Sequence, residues 1–541
     1  MDYNSILKGT TASYLKTVNP DSPPPLSDIA SKLIEEINAN IEIENMALPK
    51  GSKYILLGRN GGLPPAVIAD CVLYLVEVKK VTTAKETTDR DTKNYELRYY
   101  CDCGEDEGIY IPAETYLEGI IRELNYSIKR HEIKETIVAI EANAPTIERC
   151  EDPDLIPLHN GIFDYKSKKL LPFSPRLVFT AKAAVDYNPY AKNFNIHNAE
   201  NGSNWNVEDW LADLHDDPEI TNLIYQIIGA TLRPYVPFNR MALFYGDRGC
   251  GGKGTVIALI QNILGRGRYA SASMAQLAET FGLTQLLNAS AILGDENDTN
   301  AYIRSLSSLK KLITHDVAVV NIKHKPSVSF VFHGMIIEAI NELPRVADST
   351  ESFYRRQIYI PFEKNFIGNE RKYIKEDYLK RKSVLEYVVF KVLNMPDYYD
   401  FDIPKACQLL IEDVKSENDP VRRFVQEMFP ELGAWELYPS RFLYDLYRSW
   451  YVKTVSENRD ACSMDVFVKQ LRRLLRDGVN TDWVFSDTPI RSTGKMDNPE
   501  FLIAEYDLKD WYNSNYTGND LYKRCDPTNN LKTLYRGIVK K

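Results

Sequence analysis

A glycine-rich loop between an apolar run and a helix-compatible run is the feature that most constrains this chain. Residues 244–255 are FYGDRGCGGKGT; the apolar run Met241–Tyr245 leads into them, and Val256–Leu264 follows. Glycines let backbone N–H groups turn toward phosphate oxygens, and the following helix presents its positive end to the same anion. The strand–loop–helix order therefore predicts an α/β fold with a phosphate-binding loop.

The loop supplies a set of candidate ATP-binding residues. We expect Lys253 to reach the β- and γ-phosphates, and Thr255 to offer its hydroxyl to Mg²⁺ because Gly254 follows the lysine. The spacing from Gly246 to Lys253 is one residue longer than in the strict pattern. The alternative is a glycine-rich turn with a solvated lysine. The candidate residues are Gly246, Gly249, Cys250, Gly251, Gly252, Lys253, Gly254 and Thr255.

Two acids follow a second apolar run, Ala291–Gly294, and the first of them lies 42 residues after Lys253. Metal-assisted ATP hydrolysis requires acids in this position. We expect Asp295 to hold Mg²⁺ through water and Glu296 to orient and deprotonate the attacking water. A solvated acidic turn is the alternative, and the phosphate loop upstream favours the functional interpretation.

A third apolar run ends in a polar residue, and an arginine pair follows it. Asn341 comes directly after Gly334–Ile340 and is expected to sense the γ-phosphate and position the attacking water. Arg355 and Arg356 open a further short strand. One of them is expected to reach across a subunit boundary and stabilise charge at the γ-phosphate, and the sequence does not decide which. A surface ion pair is the alternative for this pair.

These runs, in this order, resemble a superfamily 3 helicase of the AAA+ class, in its D5-like (P4-type) branch from phages and plasmids. The segment Ile156–Asp164 is similar to the LxNGxxD segment of that family, and Pro172–Asn188 continues the pattern. Residues 210–229 resemble the helical lead-in to the motor. The family often shows GxGGNGKGT at its loop, from which Cys250 and Gly251 depart.

The resemblance implies a replication helicase that hydrolyses ATP with Mg²⁺ and forms a homo-oligomeric ring, a hexamer. It implies single-stranded DNA in the channel, with duplex origin DNA and a separate primase as further partners, and no membrane. The expected fold is a P-loop AAA+ motor with a helical N-terminal region and a C-terminal winged helix. The expected domains are 1–95 (accessory), 96–232 (D5-N-like lead-in and oligomerisation), 233–365 (ATPase), 366–418 (helical connector) and 419–541 (winged helix).

A basic hairpin is expected between the acids and Asn341. The apolar runs Val317–Val320 and Val328–Phe332 flank a polar tip, a pattern typical of two paired strands. In superfamily 3 rings a hairpin at this point lines the channel. The resemblance therefore implies that Lys323 and Lys325 contact DNA phosphates and that His324 stacks or hydrogen-bonds. A solvated hairpin tip is the alternative.

The C-terminal part shows three helical patterns, at 421–429, 441–454 and 464–477. Apolar runs near 483–485 and 501–506 are expected to form the two strands of a wing. In the third helix one face is apolar and another is basic, as a DNA recognition helix requires. An ordinary amphipathic surface helix is the alternative. The candidate DNA-binding residues there are Lys469, Arg472, Arg473 and Arg476.

Composition limits the remaining choices. The net charge of −9 argues against a protein coated in nucleic acid by bulk electrostatics, so DNA contacts must be local. No apolar run approaches the ~20 residues of a membrane span, and the scattered cysteines fit the cytoplasm. The first 95 residues lack the clustered carboxylates and histidine of a primase centre. Within them Cys71–Lys79 is expected to be a strand, and Tyr95–Tyr110 to hold two strand-like runs.

Two other functions remain open from the residues alone. One is a DNA-dependent ATPase motor for packaging or defence. The other is a nucleotide-regulated P-loop protein that is not a motor. The basic hairpin and the arginine pair favour a motor, because a monomeric phosphotransferase needs neither.

Overall fold

The computed structural model describes residues 2–541 apart from 59–61, 83–94, 200–201, 248–249, 279–285, 287–288, 296–306, 321–327, 344–350, 456–460 and 528. The chain is mixed α/β, as predicted. Its described α-helices, in chain order, are α1 (Tyr3–Leu15), α2 (Leu26–Ala47), α3 (Pro65–Leu75), α4 (Glu114–Leu124), α5 (Arg130–Asn143), α6 (Val207–Asp213), α7 (Pro218–Leu232), α8 (Lys253–Leu264), α9 (Met274–Ala278), α10 (Ser307–Ile313), α11 (Glu351–Tyr354), α12 (Lys372–Glu376), α13 (Lys382–Leu393), α14 (Lys405–Asn418), α15 (Pro420–Met428), α16 (Ser440–Thr454), α17 (Met464–Arg476), α18 (Leu502–Glu505) and α19 (Leu521–Arg524).

The described β-strands form several separate sheets. In chain order they are β1 (Val78–Thr82), β2 (Tyr95–Tyr100), β3 (Tyr110–Pro112), β4 (Thr146–Ile147), β5 (Leu155–Leu158), β6 (Gly161–Asp164), β7 (Lys169–Leu171), β8 (Ile196–His197), β9 (Asn204–Trp205), β10 (Met241–Tyr245), β11 (Tyr269–Ala270), β12 (Ala291–Gly294), β13 (Val317–Val320), β14 (Val328–Val331), β15 (Met335–Ile340), β16 (Gln357–Pro361), β17 (Leu437–Pro439), β18 (Trp483–Arg491) and β19 (Leu534–Lys540). Among the described residues, no helix combines the length and the apolar character needed to cross a membrane.

The chain divides into two compact units. The first unit is Met1–Ala347 with Arg355–Cys407, and the second is Asp348–Tyr354 with Gln408–Lys541. The short α11 belongs to the second unit because Glu351 forms ion pairs with Arg422 (3.0 Å) and Lys415 (2.9 Å). The limits of the five domains expected from the sequence stay predictions.

The N-terminal helices share one core with later helices. Residues of α2 and α3 pack with residues of α4 and α5, and this core spans the expected limit at residue 95. The predicted strand Cys71–Lys79 is wrong over most of its length, because α3 extends to Leu75 and β1 begins at Val78. The first of the two strand-like runs expected within Tyr95–Tyr110 is confirmed as β2, but the second is present only at Tyr110, where β3 begins.

The segment Ile156–Asp164 forms a β-hairpin. Strands β5 and β6 pair in antiparallel fashion around a turn at Asn160. The Asn160 side chain donates to the carbonyl of Tyr187 (3.0 Å) and accepts from its N–H (2.9 Å), which joins the turn to the end of the segment Pro172–Asn188. Asn160 therefore has a structural role in linking the two segments.

A five-stranded parallel sheet forms the centre of the first unit. Its strand order is β11-β12-β15-β10-β16, so β10 lies between β15 and β16. Side chains such as Phe244, Ile292 and Ile337 are fully buried, and α7 and α8 both pack on β15. Because all five strands are parallel, the carboxyl ends of β10, β12 and β15 lie at the same end of the sheet.

The expected hairpin is present. Strands β13 and β14 pair in antiparallel fashion, with Val317 opposite Val331. The expected DNA-contacting residues Lys323, His324 and Lys325 lie outside the described residues. The structure therefore confirms the hairpin, and their role stays a prediction.

The second unit contains the three predicted helices as α15, α16 and α17. The run at 483–485 lies in β18, as expected, but the predicted strand at 501–506 is wrong, since this stretch contains α18. Leu502 and Ile503 are adjacent and both buried, which suits a helical turn and not the alternating pattern of a strand. The partner of β18 is β19, in a sheet of order β17-β19-β18.

Candidate functional site

The glycine-rich loop connects β10 to α8 through positions that require glycine. Gly252 has a left-handed φ of 93° at the N-cap of α8, and a Cβ there would come within 2.8 Å of Leu214. A Cβ on Gly246 would clash with the carbonyl oxygen of Phe362. Gly249 lies outside the described residues. The loop therefore passes close to neighbouring backbone and delivers the N-terminus of α8 to the sheet edge.

Lys253 begins α8, and its side chain is 6% exposed. Its ammonium donates to the carbonyls of Gly246 (2.5 Å) and Ile340 (3.1 Å) and to the side-chain oxygen of Asn341 (2.7 Å). Burial lowers the pKa of Lys253, and the nearby acids Asp247 and Asp295 oppose that effect. The lysine thus holds a positive charge at the ends of β10 and β15.

Asp295 follows β12 and lies against the first turn of α8. A Cβ placed on Gly254 would lie 3.1 Å from each carboxylate oxygen of Asp295. Thr255 is the next residue in the same turn, and its hydroxyl is a further oxygen donor. Carboxylate and hydroxyl oxygens are the donors that Mg²⁺ prefers, so this pair fits the ion. Glu296, the expected base, lies outside the described residues.

One cavity of about 470 Å³ brings these groups together. Lys253, Thr255, Asp295 and Asn341 all line it, together with Cys250, Gly252 and Gly254. Their convergence follows from the strand order, which places the ends of β10, β12 and β15 side by side.

The sequence analysis missed part of this cavity. Trp210 and Phe366 contribute aromatic rings to its lining, and Arg371, Lys372 and Lys375 contribute cationic side chains. From the sequence, Trp210 is expected only in the helical lead-in, and the other four residues are expected in the helical connector. The charged run that follows β16 is the signal that would have found the three cations.

The arginine pair lies at the opposite end of the same sheet, where the strands begin. Arg355 and Arg356 come directly before β16, which runs parallel to β10. The N–H of Met241, at the start of β10, donates to the Arg356 carbonyl (2.8 Å), and the Arg240 guanidinium donates to the Arg355 carbonyl. The Arg355 side chain is exposed, and neither arginine lines the cavity. Within one chain, the pair is therefore separated from the glycine-rich loop by the length of β10.

The basic residues of α17 face a groove of about 840 Å³ in the second unit. The groove lies between α17 and β18, and Trp483 and Phe485 contribute to its lining. The apolar face of α17 is buried as expected, through Phe467, Leu471, Leu474 and Leu475. All four candidate cations line the groove, namely Lys469, Arg472, Arg473 and Arg476.

These cations differ in their partners. Arg473 pairs with Asp419 (3.3 Å), a carboxylate that is 3% exposed and caps α15. Arg472 pairs with the exposed Asp487 (2.9 Å) and lies 4.4 Å from the Phe485 ring centre. A buried carboxylate requires a partner, so Arg473 also has a structural role.

Three family models match separate parts of the chain. The model described as D5 N terminal like matches residues 79–234, and the model described as poxvirus D5 protein-like matches residues 416–513. Between them, a family of unknown function (DUF5906) matches residues 244–356, which include the glycine-rich loop and the arginine pair.

Solved structures of the apo C-terminal region of NrS-1 are also similar. An A-form structure is 14% identical and the match covers 88% of this chain and 100% of that chain, with a TM-score of 0.43. A second A-form structure is 14% identical, and its match covers 88% of this chain and 100% of that chain with a TM-score of 0.42. A further apo structure is 13% identical, and its match covers 88% of this chain and 99% of that chain with a TM-score of 0.43. TM-scores of this size do not establish a shared fold. A search of curated proteins found no match.

The two D5-like models match on either side of the glycine-rich loop. The first covers Ile156–Asp164 and Pro172–Asn188, the segments on which the D5-like resemblance depends. The resemblance drawn from the sequence is thereby confirmed over these two regions, each of which matches a D5-like family model.

Proposed function

We propose that this chain is an ATP-driven DNA helicase that assembles as a ring and serves the replication of a phage, plasmid or genomic island. The observation that carries the proposal is the meeting of Lys253, Asp295 and Asn341 in one cavity behind a glycine-rich loop. The D5-like family and the order of the motifs support a role in replication.

The cavity has the chemistry for a nucleoside triphosphate. Phosphate oxygens would replace the carbonyl oxygens that now accept from Lys253, and the N-terminus of α8 would face the same phosphates. The rings of Trp210 and Phe366 offer an apolar wall to the base. Arg371, Lys372 and Lys375 would add positive charge around the triphosphate, partly offset by Asp213 and Glu370 in the same lining.

Thr255 and Asp295 would hold Mg²⁺, which neutralises charge on the β- and γ-phosphates when it is bound. Glu296 would take the proton of the attacking water, and Asn341 would orient that water. The contact between Asn341 and Lys253 already places the asparagine beside the residue expected at the γ-phosphate.

The arginine pair supports a shared active site. Arg355 and Arg356 lie at the amino ends of the strands, whereas the cavity of their own chain lies at the carboxyl ends. Either arginine would therefore act on a γ-phosphate bound in the cavity of a neighbouring chain. A closed ring, and specifically a homohexamer, supplies such neighbours to every chain. The hairpin residues Lys323, His324 and Lys325 would bind single-stranded DNA in the channel of that ring.

The groove beside α17 is proposed to bind duplex DNA at an origin, as the recognition helix of a winged helix does. Its cations would contact phosphates, and Lys469 is the one for which the described residues show neither an ion pair nor a hydrogen bond. Arg472 and Arg473 already form ion pairs with Asp487 and Asp419, respectively.

ATP turnover, measured with and without single-stranded DNA, tests the proposal. We expect Lys253→Ala to lose nucleotide binding and Glu296→Gln to bind ATP without hydrolysing it. Lys134→Ala, on the exposed face of α5, is the matched control. Wild-type turnover by Glu296→Gln would refute the assignment of the base. Hydrolysis that DNA does not stimulate would favour a nucleotide-regulated protein that is not a motor.

A further inference from the structure

Arg268 is a buried cation that the proposed ATP site does not use. It precedes the edge strand β11 at the amino end of the sheet, and its side chain is 5% exposed. One guanidinium nitrogen donates weakly to the Pro157 carbonyl (3.4 Å), and Nε is buried without a hydrogen-bond partner. Among the described residues, no carboxylate forms an ion pair with it. Burial of an unneutralised guanidinium is costly, so a missing anion would stabilise this site.

The pKa of Arg268 keeps it charged. Burial lowers this pKa to about 10, and the phenol of Tyr235 opposes the shift. The guanidinium is therefore a cation at neutral pH and needs hydrogen-bond acceptors.

A small cavity adjoins this guanidinium. Its volume is about 70 Å³, several times the ~10–15 Å³ needed for one water molecule. Arg149, Thr180, Tyr235 and His333 line it together with Arg268. Burial raises the pKa of Tyr235; the guanidinium groups of Arg149 and Arg268 oppose that rise, and the carboxylate of Glu151 adds to it. The cavity thus combines two guanidinium groups with hydroxyl and imidazole groups, a set suited to an oxyanion.

The cavity lies at the base of the β13–β14 hairpin. His333 follows β14, and its ring lies 5.0 Å from that of Tyr235 and 5.8 Å from that of His315. His315 precedes β13 and hydrogen-bonds to the Phe332 carbonyl (2.8 Å). The two histidines therefore connect the start and the end of the hairpin to the wall of the cavity.

A wider groove of about 470 Å³ begins on the other side of Arg268. It is lined by the cations Arg98, Lys182 and Arg266 as well as Arg268, against the acids Glu105 and Asp106. Arg98 is buried and pairs with Glu96, so Lys182, Arg266 and Arg268 are the cations of this groove that face Glu105 and Asp106. Arg268 is thus common to the small cavity and to a groove with a small excess of positive charge. A chain of linked phosphates would fit this arrangement better than a single free anion would.

We propose that Arg268 and Arg149 form a pocket for one backbone phosphate of a nucleic-acid strand, at the base of the β13–β14 hairpin. The two planar guanidinium groups donate to the phosphate oxygens, and the strand continues along the wider groove. The identity of the strand as DNA rests on the proposed function, whereas the phosphate chemistry of the pocket does not. The pocket is separate from the glycine-rich loop, because the pocket lies at the amino ends of the strands and the loop lies at their carboxyl ends.

Salt-dependent binding of a fluorescent single-stranded oligonucleotide to the full chain, without nucleotide, tests the pocket. Arg268→Lys and Arg149→Gln should each weaken binding by about tenfold, the equivalent of one lost charged hydrogen bond. Arg149→Gln, which removes a positive charge, should also reduce the slope of log affinity against log salt by about one unit, whereas Arg268→Lys keeps the charge and should leave that slope nearly unchanged. The control Arg130→Gln, at the exposed start of α5, should change neither quantity.

A second arm uses inorganic phosphate as the competitor. Unchanged oligonucleotide affinity and salt slope in folded variants would overturn the proposal, and so would a pocket that binds inorganic phosphate but no oligonucleotide. Arg149 is only partly buried, so Arg149→Gln keeps the test available if Arg268→Lys does not fold. ATP turnover is measured separately, so failure of the ATPase assignment is distinguishable from failure of the pocket.

Discussion

The ammonium of Lys253 lies 2.7 Å from the side-chain oxygen of Asn341. This contact joins the helix that follows the glycine-rich loop to the end of β15, although its two residues are 88 positions apart in sequence. It places the residue expected at the phosphates beside the residue expected to orient water.

The contact predicts distinct effects for two changes at Asn341. Asn341→Ala removes the acceptor and the water-orienting group, so we expect ATP binding to persist and turnover to fall by about 100-fold, the order found for one positioned hydrogen-bond group. Asn341→Asp would place a negative charge beside Lys253 and is expected to weaken ATP binding itself. Nucleotide titration and steady-state turnover separate the two effects. Wild-type turnover by Asn341→Ala would remove Asn341 from the site.

The position of the arginine pair predicts complementation between inactive chains. Arg355→Ala and Lys253→Ala damage different halves of a shared site, so a mixture of the two should recover part of the wild-type ATP turnover. The same mixing with Arg356→Ala decides which arginine acts. The control mixes Lys253→Ala with itself at equal total concentration. Persistent inactivity in mixtures that demonstrably co-assemble would contradict a shared site.

The hairpin and α17 are predicted to bind different forms of DNA. Lys323→Ala with Lys325→Ala should weaken single-strand binding for any sequence, because phosphates carry no sequence information. Lys469→Ala with Arg476→Ala should weaken duplex binding and leave single-strand-stimulated turnover intact. Arg473 is a poorer choice of variant, since its loss would leave Asp419 buried without its cation. Binding titrations on both substrates at two salt concentrations measure this, and equal losses on both would refute the division.

The buried His215 predicts a pH-dependent stability. Its ring lies edge-on to Phe362 at 4.6 Å, and burial lowers its pKa from 6.5 to about 4. Between these values the unfolded chain binds a proton that the folded chain does not, so the free energy of unfolding falls as the pH falls. Between pH 7 and pH 5, the free energy of unfolding of His215→Gln should fall by roughly 2 kcal/mol less than that of the wild type. Urea unfolding at pH 7 and pH 5 measures these free energies. Equal falls in the variant and the wild type would contradict the prediction.

The sequence was sufficient where local pattern and tertiary structure agree. The strand, loop and helix around Lys253, the strand before Asp295 and the β13–β14 hairpin are present at the expected positions. Each carries a signal of its own, either glycines at a turn or an apolar run bounded by polar residues.

The sequence was insufficient where an apolar run was short. The run at 501–506 and the run Cys71–Lys79 fit either a helix or a strand, and only burial on the folded chain decides between them. In α3, Val67, Ile68, Cys71 and Val72 are all buried, at helical spacing. The partner of β18 could not be found locally either, because β19 follows more than forty residues after β18.

The candidate site shows the same limit. Lys253, Asp295 and Asn341 were predicted from motifs, but Trp210 and Phe366 reach the cavity only through the packing of elements far apart in sequence. The structural partner of Arg473 was hidden for the same reason. Asp419 lies 54 residues before it, and no local pattern links the two.

Strand displacement on a forked DNA substrate, with ATP and Mg²⁺, tests the central claim most directly. We expect the wild-type chain to separate the strands when one of the two tail polarities is offered, and Lys253→Ala to separate neither substrate while Lys134→Ala behaves as the wild type. A wild-type chain that hydrolyses ATP in a DNA-stimulated manner, yet separates no strands with either tail, would contradict the helicase assignment and favour another DNA motor.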